Sequence, residues 1–228
     1  MIAGHFHTNV IVHYWLLSFA VVLLWLPRQW LRFGKKVITL PSKKSGAAKN
    51  LRDSGDVSMR LREELPNARN WVDFLRAFAG GVGVCVVGFE LPSGTPKDTI
   101  IYVYVIQCAV LAVAVFIQTA RNFQHRITLV APVFFIFGLS FSLIGWQAAL
   151  FAFVTVWALN LLLPSAMTFL VVLSLLELAF GRFLSNGAPI KMVFLSAALT
   201  IGPVLLSAMM NRQLVKLNKK NRSRSSKT

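Results

Sequence analysis

Acidic residues are scarce in this chain: eight aspartates and glutamates stand against 24 lysines and arginines in 228 residues, for a formal net charge of +16. Charge of any sign is thin as well, at 14% of residues against 56% hydrophobic. A soluble domain so composed would face water with large apolar patches, so a lipid solvent is expected. Cysteine is nearly absent. Cys85 and Cys108 both sit in apolar segments with no CxxC spacing and no nearby histidine, which excludes a secretory disulfide framework and a structural metal site. No HExxH motif, catalytic triad or phosphate-binding glycine loop occurs, so no catalytic, cofactor-binding or metal-binding residue is assigned, and no cofactor. His5, His7 and His13 lie close together, but the first fifty residues contain no Cys, Asp or Glu, and a solvated N-terminal segment is the reading. That segment also lacks Lys and Arg, and no small-residue cleavage site follows Leu26, so the first apolar run is expected to stay uncleaved.

What is present is long apolar runs. A bilayer core needs about 20 helical residues to cross it. Val10 to Leu26 fits, stopped by Pro27 and Arg28; Trp71 to Leu91 fits, ending at the Pro92 to Pro96 turn; Thr99 to Thr119 fits, closed by Arg121 and Arg126. From Ile127 to Phe183 one stretch of about 57 residues divides into three spans, with turns at Gly145-Trp146-Gln147 and Leu163-Pro164-Ser165. A last span runs from Met192 to Met210. The expected fold is therefore an all-α, polytopic membrane helix bundle forming one domain over residues 1–228, with seven transmembrane helices; a six-span alternative merges or half-inserts one of the uncharged three.

The basic residues set the orientation. Eleven lie between Arg28 and Arg69 and seven between Arg212 and Lys227. With the N-terminus extracytoplasmic and the C-terminus cytoplasmic, these two segments and the Arg121 to Arg126 loop fall inside, as the positive-inside rule requires, in a plasma or inner membrane. The loop over 28–70 is read as irregular basic chain followed by a short surface helix from Asp56 to Leu65, capped by Asp56 and stopped by Pro66. The tail over 211–228 is read as disordered. Both segments would meet anionic lipid headgroups, at about 1 kcal/mol of attraction per basic residue. Nucleic acid or a ribosome is a poorer partner, because the tail from Arg212 to Thr228 has no aromatic residue on which bases could stack.

Polar and small residues inside the apolar runs are the candidate site residues. Asp73 and Arg76, one helical turn apart, can pair. Gly80, Gly81 and Gly83 follow on the same span, where small residues let helix backbones approach closely, within the bundle or in a homo- or hetero-oligomer. Glu177 is the most deeply placed carboxylate and needs a partner or a proton; Arg182, Gln107 and Glu90 are the candidates to meet it. Pro203 removes a helix hydrogen bond and is expected to kink the last span, as Pro132 does more gently near the start of the fourth.

The stretch from Leu65 to Arg76, LPNARNWVDFLR, resembles the Pro-Asn then Arg segment of CDP-alcohol phosphatidyltransferases. That family's chemistry implies a D-x-x-D-G-x-x-A-R pattern with two further aspartates, and this chain has only Asp53, Asp56, Asp73 and Asp98. The resemblance stops at those twelve residues and membership is not assigned. The function expected from the sequence is noncatalytic, a lipid- or partner-binding scaffold or assembly role. A small transporter or permease, resting on Glu177, Gln107, Asp73, Arg76 and Pro203, is the alternative; a lipid-modifying enzyme lacks the carboxylates or histidines it would need at one depth.

Overall fold

The computed structural model describes residues 3–6, 10–27, 64–123, 126–163, 165–184, 189–211 and 214–215. Most of the basic loop, including the expected helix from Asp56 up to residue 63, and the tail over 216–228 lie outside the described residues.

The described residues are mostly helical, with seven α-helices among them. They are α1 (Tyr14–Trp25), α2 (Ala68–Val82), α3 (Lys97–Thr119), α4 (Val133–Ile144), α5 (Trp146–Leu159), α6 (Ala166–Leu184) and α7 (Ile190–Met209). A single π-turn, Gly83–Val87, extends α2, and a 3₁₀ turn, Asn160–Leu162, extends α5. Among the described residues four helices are long and apolar enough to cross a membrane: α2 with its π-turn, α3, α6 and α7. The other three are shorter, at 12 residues for α1, 12 for α4 and 14 for α5.

Local chemistry accounts for the short ones. Val10, Ile11 and Val12 are β-branched and alternate in burial, and they form strand β2 (Val10–His13) instead of the first turns of a helix. β2 is the central strand of a small antiparallel sheet, with β1 (Ala3–Phe6) on one side and β3 (Phe89–Glu90) on the other. At the other end, β4 (Ala120–Phe123) and β5 (Arg126–Val130) form a hairpin, and β6 (Leu214–Val215) adds in parallel to β5. Two expectations change here. The Arg121 to Arg126 segment is a hairpin rather than a loop, and Leu214–Val215, expected within a disordered tail, is a paired strand. The fold is mostly helical, consistent with the all-α expectation, and the described residues add two small three-stranded sheets at helix ends. Pro132 kinks nothing: it stands at the N-cap of α4, where its missing N–H costs no hydrogen bond, and its carbonyl accepts from Ile136 N at 2.9 Å.

Gly145 separates α4 from α5 at φ +86°, a left-handed conformation open to glycine at little cost, and a single residue there reverses the chain. Phe137 and Phe153, each eight positions from Gly145, stack with ring centroids 3.7 Å apart, so α4 and α5 are antiparallel. α6 opens on a reciprocal cap: Thr168 N donates to Ser165 Oγ at 3.2 Å and Ser165 N to Thr168 Oγ1 at 3.1 Å.

α4 is the centre. Ten of its 12 residues are buried, against α2 on one side and α5 and α7 on others. Phe74 of α2 meets Phe137 and Phe141 of α4 at 5.1 and 5.2 Å, edge or tilted contacts that suit aromatic quadrupoles. The outer faces are apolar too: Trp15, Leu75, Val86, Tyr102, Phe151 and Phe194 are among the exposed residues.

Candidate functional site

Nine of the 12 buried polar side chains among the described residues fall into three groups, each joining helices. The first closes the end of α1. A helix leaves its last carbonyls without intrahelical donors, and Pro27 stops the chain from continuing. Gln118, near the end of α3, donates Nε2 to Leu26 O at 3.0 Å and to Leu24 O at 3.2 Å. Arg76 of α2 donates Nη1 to the same Leu26 carbonyl and Nη2 to Gln118 Oε1 at 2.7 Å. Asp73 sits 3.2 Å from Arg76 Nη2, one turn away on α2, and the guanidinium lies 5.4 Å from the Phe135 ring centre. Both charged residues are buried. The spacing of Asp73 and Arg76 was legible in the sequence; Gln118 and the α1 carbonyls were not. A lone glutamine at the end of an apolar run was the only signal.

The second group is at the π-turn of α2. A π-turn shifts the backbone ladder by one residue and leaves a carbonyl poorly served. Gln107 of α3 donates Nε2 to Val84 O at 3.0 Å.

Glu177 forms the third, at the junction of α4, α6 and α7. It is 1% exposed. Ser140 Oγ of α4 lies 2.6 Å from Oε1, while Ser196 Oγ and Thr200 Oγ1 of α7 lie 3.0 and 2.8 Å from Oε2. Along the same face of α6, Ser174 Oγ donates to Ala197 O at 3.0 Å, and a Cβ on Gly181 would come within 2.7 Å of Val193 Cγ1. Ser174, Glu177 and Gly181 thus make one seam against α7.

The partners expected for Glu177 are elsewhere. Gln107 is engaged at Val84, Glu90 lies 3.6 Å from His13 Nε2 at the β2–β3 sheet, and Arg182 is exposed and makes no ion pair among the described residues. Hydroxyls i and i+4 on α7 do what a cation was expected to do, and three isolated Ser and Thr in apolar helices carry too weak a pattern to be singled out. The glycines divide between two neighbours instead of sharing one face. Cβ atoms on Gly80 and Gly83 would meet Leu24 Cγ at 2.6 Å and Ala20 Cβ at 2.5 Å on α1, whereas one on Gly81 would overlap Ser142 on α4. Pro203 is buried inside α7, which continues through it to Met209.

In class, the described residues form a helix bundle in which four helices are long and apolar enough to cross a membrane. No protein family, curated protein or solved structure matches it.

Proposed function

We propose that this is an integral membrane protein of noncatalytic role, a scaffold or assembly component that holds anionic lipid or a partner through its basic segments. One observation carries the reading: Arg76, Gln107, Gln118, Ser174 and Glu177 each engage a neighbouring helix, and Gln107 and Glu177 belong to separate contacts instead of lining one cavity. A transport pathway would leave such groups facing water.

Seven crossings are supported by length. α1 at about 18 Å plus β2 at about 13 Å reaches about 31 Å, and α4 plus β5 reaches a similar length, matching a core of about 30 Å. β2 and β5 are each the middle strand of their sheet, and Ile11, Val12 and Leu129 are paired on both sides, which favours extended chain at membrane depth there. The N-terminus is then extracytoplasmic and the C-terminus cytoplasmic.

The test is single-cysteine labelling in a Cys85→Ala, Cys108→Ala background with a membrane-impermeant thiol reagent. Cysteines placed at residue 3 and residue 228 should label from opposite sides, and one at Ser196 should not label from either. Labelling of both ends from one side would break the seven-crossing count. Rapid labelling at residue 196 would favour the transporter.

The basic tail gives a second expectation. A peptide of residues 210–228 should bind vesicles containing anionic lipid, with little binding to neutral vesicles, and lose that binding as salt shortens the Debye length from about 8 Å. RNA binding that persists in salt sufficient to strip the peptide from vesicles would refute the lipid assignment.

A further inference from the structure

We propose that the junction of α4, α6 and α7 is a proton-binding site, with Glu177 carrying a proton that it donates to Ser140. The argument is a count of hydrogens. Five oxygen contacts converge there: Ser140 Oγ to Ile136 O at 3.0 Å, Ser140 Oγ to Glu177 Oε1 at 2.6 Å, Ser196 Oγ to Ser140 Oγ at 3.3 Å, Ser196 Oγ to Glu177 Oε2 at 3.0 Å, and Thr200 Oγ1 to Glu177 Oε2 at 2.8 Å. Three hydroxyls supply three hydrogens. If the carboxylate is ionised, Ser140 must choose between Ile136 O and Glu177, and two of the five contacts hold no hydrogen. A carboxylic acid supplies a fourth. Glu177 then donates to Ser140, Ser140 donates to Ile136 O, Ser196 and Thr200 donate to Oε2, and only the longest contact is left empty.

The surrounding charges agree with the count. α4 and α5 contain no titratable residue. On α6 the other one is Arg182, which is exposed. On α7 it is Lys191, whose Nζ lies 5.3 Å from the ring centre of Tyr104. α3, packed on α7, carries Lys97, Asp98, Tyr102, Tyr104 and Cys108, and the Tyr104 hydroxyl donates to Lys191 O at 3.0 Å. On the strands, β5 begins with Arg126 and β6 has no titratable residue. No cation faces the carboxyl from any of these helices, and burying an unpaired charge is costly. A metal ion is a poor substitute for the proton. Ligated at more than about 2 Å from each oxygen, it would spread neighbouring oxygens beyond the 2.6 Å between Ser140 and Glu177.

Occupancy of this one proton is therefore linked to the packing of three helices, since its loss would set a charge among hydroxyl dipoles alone. This inference does not depend on the scaffold reading.

The experiment is infrared spectroscopy of the full-length protein in lipid nanodiscs at neutral pH. Wild type should show the carbonyl stretch of a protonated carboxylic acid that shifts on transfer to D₂O and is missing from Glu177→Gln. Ser140→Ala, which removes the acceptor, should keep the band and move it to higher frequency. A wild-type spectrum without the band, or a band that persists unchanged in Glu177→Gln, overturns the proposal. So does loss of the band when sodium chloride replaces choline chloride, which would make the site one for an alkali cation.

Discussion

Arg76→Leu should give little folded protein, because it removes three contacts at once and strands an acid. Breaking a buried ion pair on one side costs about 3–5 kcal/mol, most of it from the charge left behind. Here Asp73 would lose the guanidinium at 3.2 Å, and the Leu26 carbonyl and Gln118 would each lose a donor. Arg76→Lys should rescue only part of this, since an ammonium on a flexible stem cannot span Leu26, Gln118 and Asp73 as a planar fork does. Asp73→Asn combined with Arg76→Leu should be better tolerated than Arg76→Leu alone, because no uncompensated charge is left in place. The measurement is the monodisperse fraction after detergent extraction together with the temperature at which half of it is lost. If Arg76→Leu matched wild type, the α1 cap would be incidental.

Much of this bundle could be read from hydropathy because apolar length and turn residues act locally. Gly145, Pro189 and the Pro92 to Pro96 turn all mark helix boundaries. What hydropathy could not separate was strand from helix inside an apolar run. Val10–His13 and residues 127–130 are apolar enough to read as the start of spans, and their extended form is settled by pairing, with β1 and β4 close by in the chain and with β3 and β6 far from them in sequence. The same limit governs the polar groups. Asp73 and Arg76 could be paired from sequence because i and i+3 are neighbours on any helix. Ser140, Glu177, Ser196 and Thr200 come from three helices, and nothing in the order of residues brings them together. The helix-packing glycines of α2 are visible in the sequence as a cluster, while Gly138 stands alone in an aromatic helix.

Gly138→Leu is the second substitution expected to be severe, and it separates close helix packing from mere helix propensity. A Cβ at Gly138 would overlap the Phe74 carbonyl and lie 2.9 Å from Ala77 Cβ and 3.0 Å from Phe78 N, so the obstacle is largely the backbone of α2, which cannot rotate away. Overpacking typically costs about 1–3 kcal/mol, and more where backbone has to shift. Moving α2 would also disturb Phe74 against Phe137 and Phe141. Gly81→Leu should be damaging but milder than Gly138→Leu, because its obstacle is a side chain and not backbone: Ser142 Oγ can rotate away, while Ser142 Cβ at 2.9 Å needs a small shift of α4. Gly202→Ala is the control: beyond its chain neighbours nothing lies within 4 Å of its added Cβ, and because Pro203 follows, where a helical Cβ crowds the proline ring, the helix-forming gain of alanine is offset and stability near wild type is expected. The expected order of thermal tolerance in detergent is Gly202→Ala near wild type, then Gly81→Leu, then Gly138→Leu. Equal behaviour of Gly138→Leu and Gly202→Ala would mean that α2 and α4 are not in backbone contact, and the central place given to α4 would have to be abandoned.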